Sequence, residues 1–275
     1  MDHGSDAHHR RRLHPRGRAV KLDGAGVVVT GGAHGIGAAL ARRFAAAGAR
    51  VFIVDLDGES AAAVADQVGG GWLAGDAASE AGVEQLIAAA KAELGAIDLF
   101  CANAGIGAGG TEAAPEEAWA RAWDVNVMAH VRAARLLLPD WLERGAGHFL
   151  ATVSAAGLLT MLGSAPYSVT KHGALAFAEW LSATYRHRGI TVQALCPQGV
   201  RTDLLAEAGP AGQLLMGAST IEPDQVADLV LEALSDGRFL VLPHPEVADY
   251  YAARAGDTDR WLGGMNKLQR KIEQQ

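Results

Sequence analysis

Cysteine is scarce in this chain: Cys101 and Cys196 are the only two in 275 residues. Both sit in apolar, strand-like runs, and no second Cys or His stands at ligand spacing from either. This argues against a disulfide framework or a metal site and predicts two reduced, buried thiols in a cytoplasmic protein. Long apolar runs are lacking too. None reaches the roughly 18 residues that a membrane-spanning helix needs, so no membrane partner is expected. The basic opening is not followed by the apolar stretch of a signal peptide, which again points to the cytoplasm. An excess of positive charge is also missing. The first 21 residues hold six Lys or Arg against two Asp, a net +4, which leaves −11 on the remainder of a chain whose total is −7. Residues 1–22 therefore read as a solvated, disordered basic tail. An acidic body repels phosphates, so no nucleic-acid partner is expected.

Almost half the residues, 49%, are hydrophobic, enough for a sizeable core. Strand-like and helix-like segments alternate. Strands are predicted at Gly26–Thr30, Arg50–Val54, Gly71–Ala74, Ile97–Ala102, His148–Val153, Ile190–Cys196 and Phe239–Leu242. Helices are predicted at Ile36–Ala47, Gly58–Val68, from a Ser79 cap to Leu94, from Pro115 to Leu138, from Pro166 onward, and from Pro223 to Leu234. Such alternation implies βαβ units. The strands are short, continuous apolar runs, as expected where both faces are covered. The fold class is thus α/β: a doubly wound Rossmann fold, with a central, mostly parallel, seven-stranded sheet and helices on both faces. It is expected to fill residues 23–245, with a helical tail over 246–275.

Ligands of such sheets bind at the carboxyl ends of the strands, where the unusual residues fall. The first strand runs into Thr30-Gly31-Gly32-Ala33-His34-Gly35-Ile36-Gly37. Its glycines let a backbone turn tightly against a phosphate pair, and the next helix adds a partial positive charge. Asp55 ends the second strand about 20 residues on, where a carboxylate can accept from a ribose hydroxyl and would repel a 2′-phosphate. NAD is therefore favoured over NADP. Tyr167 and Lys171 stand four residues apart on a predicted helix and so share one face. A phenol with a pKa near ~10 is a poor base. A nearby cation lowers that value, so the pair is expected to make Tyr167 a proton-transfer group.

These residues come in an order that resembles the short-chain dehydrogenase/reductase family in its compact form. The motifs are the glycine turn, Asp76, Asn103-Ala104-Gly105, Ser154 with Tyr167-x-x-x-Lys171, and Pro197-Gln198-Gly199-Val200-Arg201-Thr202, with Asn126 inside the long helix after the fourth strand. The resemblance implies a catalytic tetrad of Asn126, Ser154, Tyr167 and Lys171. Tyr167 would be the general acid/base, Lys171 would tune it and hold the nicotinamide ribose, Ser154 would fix the substrate oxygen, and Asn126 would hold a proton-relay water. Cofactor contacts are implied for Gly31, His34, Gly35, Ile36, Gly37, Asp55, Asp76, Ala77, Asn103, Ala104, Gly105, Tyr167, Lys171, Pro197, Val200 and Thr202.

The family pattern has Gly straight after that Pro, whereas this chain has Gln198, with Gly199 following. The segment Asp203–Ile221 is long and apolar and reads as a lid; with Leu158, Leu159, Met161 and Leu162 it suggests a hydrophobic secondary alcohol or ketone as substrate. The tail from Val247, with Tyr250, Tyr251, Trp261 and Met265, would fold over the pocket, lie on a neighbouring subunit, or form a plain surface helix. The expected activity is an NAD-dependent alcohol dehydrogenase/ketone reductase. Two other readings are a non-catalytic NAD-binding regulatory protein and an epimerase or dehydratase using the same Tyr/Lys pair. A homodimer or homotetramer built on Glu116–Leu138 and Pro166–His187 follows from the resemblance.

Overall fold

In a computed structural model of the chain, residues 19–206 and 219–274 are described. The basic tail up to Arg18 and the middle of the expected lid, 207–218, lie outside them. Strands and helices alternate as β1 (Gly26–Thr30), α1 (Gly35–Ala46), β2 (Arg50–Asp55), α2 (Gly58–Val68), β3 (Gly71–Ala74), α3 (Glu80–Leu94) and β4 (Leu99–Ala102). There follow α4 (Glu116–Trp123), a π-helical turn (Asp124–Met128), α5 (Ala129–Arg144), β5 (Gly147–Thr152), the short α6 (Ala156–Leu159), α7 (Ala165–Tyr185) and β6 (Ile190–Leu195). The chain continues through α8 (Asp203–Ala206), α9 (Pro223–Asp236), β7 (Leu240–Val241), α10 (Glu246–Gly256) and α11 (Thr258–Glu273).

The sheet has seven strands in the order β3-β2-β1-β4-β5-β6-β7. All six pairings are parallel, where the sequence suggested mostly parallel. The strand order reverses between β1 and β4, and the crevice opens at such a switch point. Local signals hold the helices in place. Asp57 caps α2 by accepting from the Ser60 N–H, and Ser79 caps α3 by accepting from Gly82, as its sequence position predicts. Glu222 and Gln225 form a reciprocal capping box at α9. β3, at one edge, alternates half-buried and exposed residues, while β1, β4 and β6 are buried throughout. Two apolar clusters fill the layers. One packs α3, α5 and α7 on one face of the sheet; the other packs α1, α2 and α9 on the opposite face.

The predicted helix from Pro115 is one continuous rod to Arg144, interrupted by the π turn at Asp124–Met128. Such turns are rare inside α-helices and favour functional positions. Asn126 lies within it.

His130 and His148 are buried against the sheet. His148 on β5 bonds through Nε2 to Gln193 Oε1 at 2.9 Å, and Gln193 in turn donates to the carbonyls of Ala233 and Arg238. Both ring nitrogens of His130, which lies edge-on to Phe149, lack a hydrogen-bond partner. Burial, then the nearby Lys171 charge, lowers the His130 pKa to about 3. Burial lowers that of His148 to about 4, against the opposing Gln193 bond. A lowered folded-state pKa means that the unfolded chain binds protons first. Stability is therefore full above about pH 6.5 and falls with acidification, by up to ~1.4 kcal/mol per pH unit for each histidine. Urea unfolding from neutral to about pH 5 should show this loss, and His130→Leu should reduce its slope by about one proton; an unchanged slope would mean that His130 titrates freely.

Candidate active site

The site is assembled at the carboxyl ends of β1, β4, β5 and β6. Asn103, just past β4, joins three of them. Its Nδ2 donates to the carbonyls of Thr30 and Gly31, both at 3.1 Å, and its Oδ1 accepts from Thr152 Oγ1 at 3.0 Å. Thr30 Oγ1 donates to Cys101 O and accepts from the N–H groups of Asn103 and Ala104. The glycine turn is thus fixed to the sheet. Gly31 and Gly35 take left-handed φ values of 61° and 49°, a region that glycine enters at little cost. Gly37 serves packing: a Cβ there would stand 1.9 Å from the Gly31 carbonyl oxygen.

Lys171 and Tyr167 lie on α7, and both are buried. The Lys171 Nζ donates to Thr152 O at 3.0 Å and lies 5.6 Å from the centre of the Tyr167 ring. Burial lowers the Lys171 pKa to about 8. The Tyr167 pKa is raised, mainly by burial, with the Ser154 hydrogen bond opposing. This differs from the expected lowering by Lys171. Desolvation dominates, and the Lys171 ammonium is turned to a backbone carbonyl. Burial thus favours the neutral phenol at Tyr167. Ser154 holds a left-handed φ of 76°, unusual for a side-chain-bearing residue. Its Oγ accepts from the Ala156 N–H at 3.2 Å. Two hydroxyls thus meet beside a buried ammonium, an arrangement able to stabilise charge developing on one oxygen.

Asn126 stands behind this wall. Its side chain exchanges two bonds with the Ile106 backbone, at 3.0 and 3.1 Å, and donates to Thr170 Oγ1 at 3.2 Å. A Cβ on Gly105 would lie 3.1 Å from Asn126 Oδ1 and 3.2 Å from Lys171 Nζ. Only a glycine leaves the floor open there.

A cavity of about 740 Å³ runs along these elements. Of the residues singled out from sequence, Gly31, His34, Gly35, Ile36, Asn103, Ala104, Gly105, Ser154, Tyr167, Lys171, Pro197, Val200 and Thr202 line it. Asp55, at the end of β2, accepts from Ala33 N at 3.0 Å and from Asp57 N at 3.2 Å, so it braces the glycine turn. His34 pairs with Asp57 at 2.9 Å. Bonds from Ser60, then from His34, lower the Asp57 pKa to about 2. Asp76 accepts from the Ala78 and Ser79 N–H groups, and Ala77 packs on the core below. Burial disfavours the Asp76 carboxylate, but these bonds and the Arg132 charge outweigh it and lower its pKa.

The C-terminal helices cover the cavity. Tyr250 of α10 and Trp261, Met265 and Leu268 of α11 line it. Arg254 anchors α10 by donating to Leu158 O and to His172 Nε2 on α7. Of the placements open to this tail in the sequence, the one over the pocket is realised. Leu204 and Leu205, from the described part of the expected lid, also line the cavity. Sequence reasoning gave no role to Thr30, Thr152 or Thr170, whose hydroxyls tie the site together. Only their places at strand ends and next to Lys171 hint at it.

The family described as short chain dehydrogenase matches residues 25–212. The chain belongs to the short-chain dehydrogenase family. Several dehydrogenases are similar to it over most of its length. A 1-deoxy-11-beta-hydroxypentalenate dehydrogenase of Streptomyces exfoliatus is 37% identical, over 80% of this chain and 82% of its own. A D-threitol dehydrogenase of Mycolicibacterium smegmatis is 32% identical, over 80% and 90%. Among solved structures, a short-chain dehydrogenase/reductase from Burkholderia phymatum in complex with NAD superposes with a TM-score of 0.80, at 28% identity, covering 87% of this chain and 96% of its own. The protein is accordingly an oxidoreductase of the short-chain dehydrogenase type.

The glycine turn gives a direct test of this architecture. Gly37→Ala drives a methyl group into the Gly31 carbonyl and should cost about 1–3 kcal/mol of stability. It should also weaken NADH binding, read by fluorescence titration, by roughly tenfold or more as the turn shifts. Wild-type affinity would show that the turn tolerates the shift.

Proposed function

We propose that the protein is an NAD-dependent oxidoreductase that interconverts a hydrophobic secondary alcohol and its ketone, with Tyr167 as general acid/base. The observation that carries this reading is the buried Tyr167 phenol, hydrogen-bonded to Ser154 next to Lys171, in a cavity also lined by Leu159, Met161, Leu162, Trp261, Met265 and Leu268. Such a wall favours an apolar substrate body.

The residues present fit the cofactor. The left-handed glycines leave the backbone uncovered at the mouth, and Gly105 leaves the floor open beside the Lys171 ammonium. When bound, the nicotinamide supplies or accepts the hydride. The chain's residues do the rest. Ser154 orients the substrate oxygen, and Tyr167 gives it a proton in reduction or takes one in oxidation. Lys171 holds the nicotinamide ribose and favours the phenolate once the proton has left. Asn126 fixes the Ile106 turn, from which a water can carry protons onward. Carboxylates at Asp55 and Asp57, the latter paired with His34, oppose a 2′-phosphate and support NAD over NADP.

We further assign the protein to the cytoplasm as a homodimer or homotetramer. Half-exposed Trp123, Val169 and Trp180, on the two long helices, support association there. Among the described residues no helix is long and apolar enough to cross a membrane, and no His/Cys/Asp/Glu group could hold a metal ion.

Tyr167→Phe should lower turnover roughly a thousandfold while NADH binding stays near wild type; loss of binding instead would make Tyr167 structural. With a raised Tyr167 pKa, the sign of the pH dependence follows. Ketone reduction needs the phenol and should hold through neutral pH and fall in alkali. Alcohol oxidation needs the base form and should climb over the same range. Parallel profiles in both directions, measured as kcat/KM, would contradict the assignment. Asp55→Ala should raise the NADPH-to-NADH ratio of kcat/KM by roughly tenfold, and an unchanged ratio would remove Asp55 from cofactor choice.

A further inference from the structure

Among the described residues, four buried side-chain polar atoms have no hydrogen-bond partner: both ring nitrogens of His130, Nδ1 of His148, and Oε1 of Gln198. The histidine atoms lie in the core. Gln198 alone of these residues lines the cavity. A buried carbonyl oxygen without a partner is costly unless a ligand completes it.

The rest of Gln198 is held firmly. Its backbone N–H donates to His244 Nδ1 at 3.1 Å. The His244 Nε2–H is shared between the carbonyls of Gly199, at 3.1 Å, and Ser219, at 2.9 Å. The side-chain Nε2 donates to Ser219 Oγ at 3.2 Å. Buried His244 thus pins the loop, Ser219 holds one end of the amide, and the other end is buried without a partner. Its place in the site is set by its neighbour: Pro197 O accepts from Ser154 Oγ at 3.4 Å and from Ala155 N at 2.8 Å. Gln198 therefore follows directly on the residue that touches the Ser154 hydroxyl. Among the cavity residues here, Ser154 and Tyr167 serve the reacting oxygen, and Ser164 Oγ is committed to Ala108 O.

We propose that Gln198 is a specificity-determining residue whose Oε1 accepts a hydrogen bond from a second hydroxyl of the substrate, near the carbon being oxidised. The substrate class is then a largely apolar molecule with a neighbouring hydroxyl pair, or the matching hydroxyketone. This rests on the alcohol dehydrogenase reading above and narrows it. The same acceptor chemistry would suit the amide N–H of the nicotinamide, so the test separates the two donors.

The experiment compares cyclohexanol with cis-cyclohexane-1,2-diol and cis-cyclohexane-1,3-diol, using NAD and full-length protein, in wild type, Gln198→Met and Gln198→Glu. NADH affinity is measured for each, and this also reports an intact site. Wild type should prefer one diol to cyclohexanol. Gln198→Met keeps the volume and removes the acceptor, and should cut that preference roughly tenfold or more. Gln198→Glu keeps an acceptor and should retain the preference. A preference unchanged in Gln198→Met would overturn the proposal. So would a loss shared equally by all three substrates with weakened NADH binding, which would give the amide to the cofactor. Loss of the preference in Gln198→Glu as well would remove the acceptor role. A wild type that binds NADH but oxidises none of the three would instead overturn the alcohol dehydrogenase reading, and this assignment with it.

Discussion

The carboxamide of Asn103 is the constraint on which the site depends. Parallel strands end with unpaired backbone groups, and the sheet has no further strand to satisfy them. Asn103 bonds the end of β1 through Thr30 and Gly31 and the end of β5 through Thr152. Thr152 then offers its carbonyl to Lys171. One chain of hydrogen bonds therefore runs from the glycine turn to the ammonium beside Tyr167. The glycine turn and the Tyr167/Lys171 pair are held in one frame.

Burial sets the electrostatics of that frame. A helix face brings Tyr167 and Lys171 together, but both are closed off from water, and desolvation disfavours each charge. The phenol is kept protonated and the ammonium is eased toward neutrality. In the reading proposed above, Lys171 would stabilise Tyr167 as negative charge forms, and preorganised groups of this kind act most on the transition state. The C-terminal helices strengthen the effect by covering the cavity, since Arg254 ties α10 to the same helix that carries the pair.

Much of the fold was legible because local and global signals agree. Short apolar runs alternate with capped helices, and six of the seven strands fall close to their predicted places. The seventh, Leu240–Val241, is shorter than expected because only Ala194 and Leu195 pair with it. The π turn was not legible. It is an extra residue in an otherwise regular helical ladder, decided by Asn126 reaching the Ile106 backbone. Nor was the covering role of α10 and α11. Their aromatics fit a surface helix as well as a lid, and only the packing against α7 and the cavity distinguishes the two.

The sequence by itself determined which chemical groups are available and in what order they meet the sheet. A glycine turn after the first strand, an acid after the second, and a Tyr and Lys one helical turn apart are local patterns, fixed by spacing along the chain. Only the tertiary structure decided how those groups behave. Proton affinity depends on burial and on partners from distant segments, such as Ser154 for Tyr167 and Thr152 for Lys171. The Gln198 oxygen likewise lacks a partner while His244 and Ser219 hold the rest of the residue. Through-space solvation and long-range hydrogen bonds have no signature in residue spacing, and for that reason the site's chemistry is read from the fold.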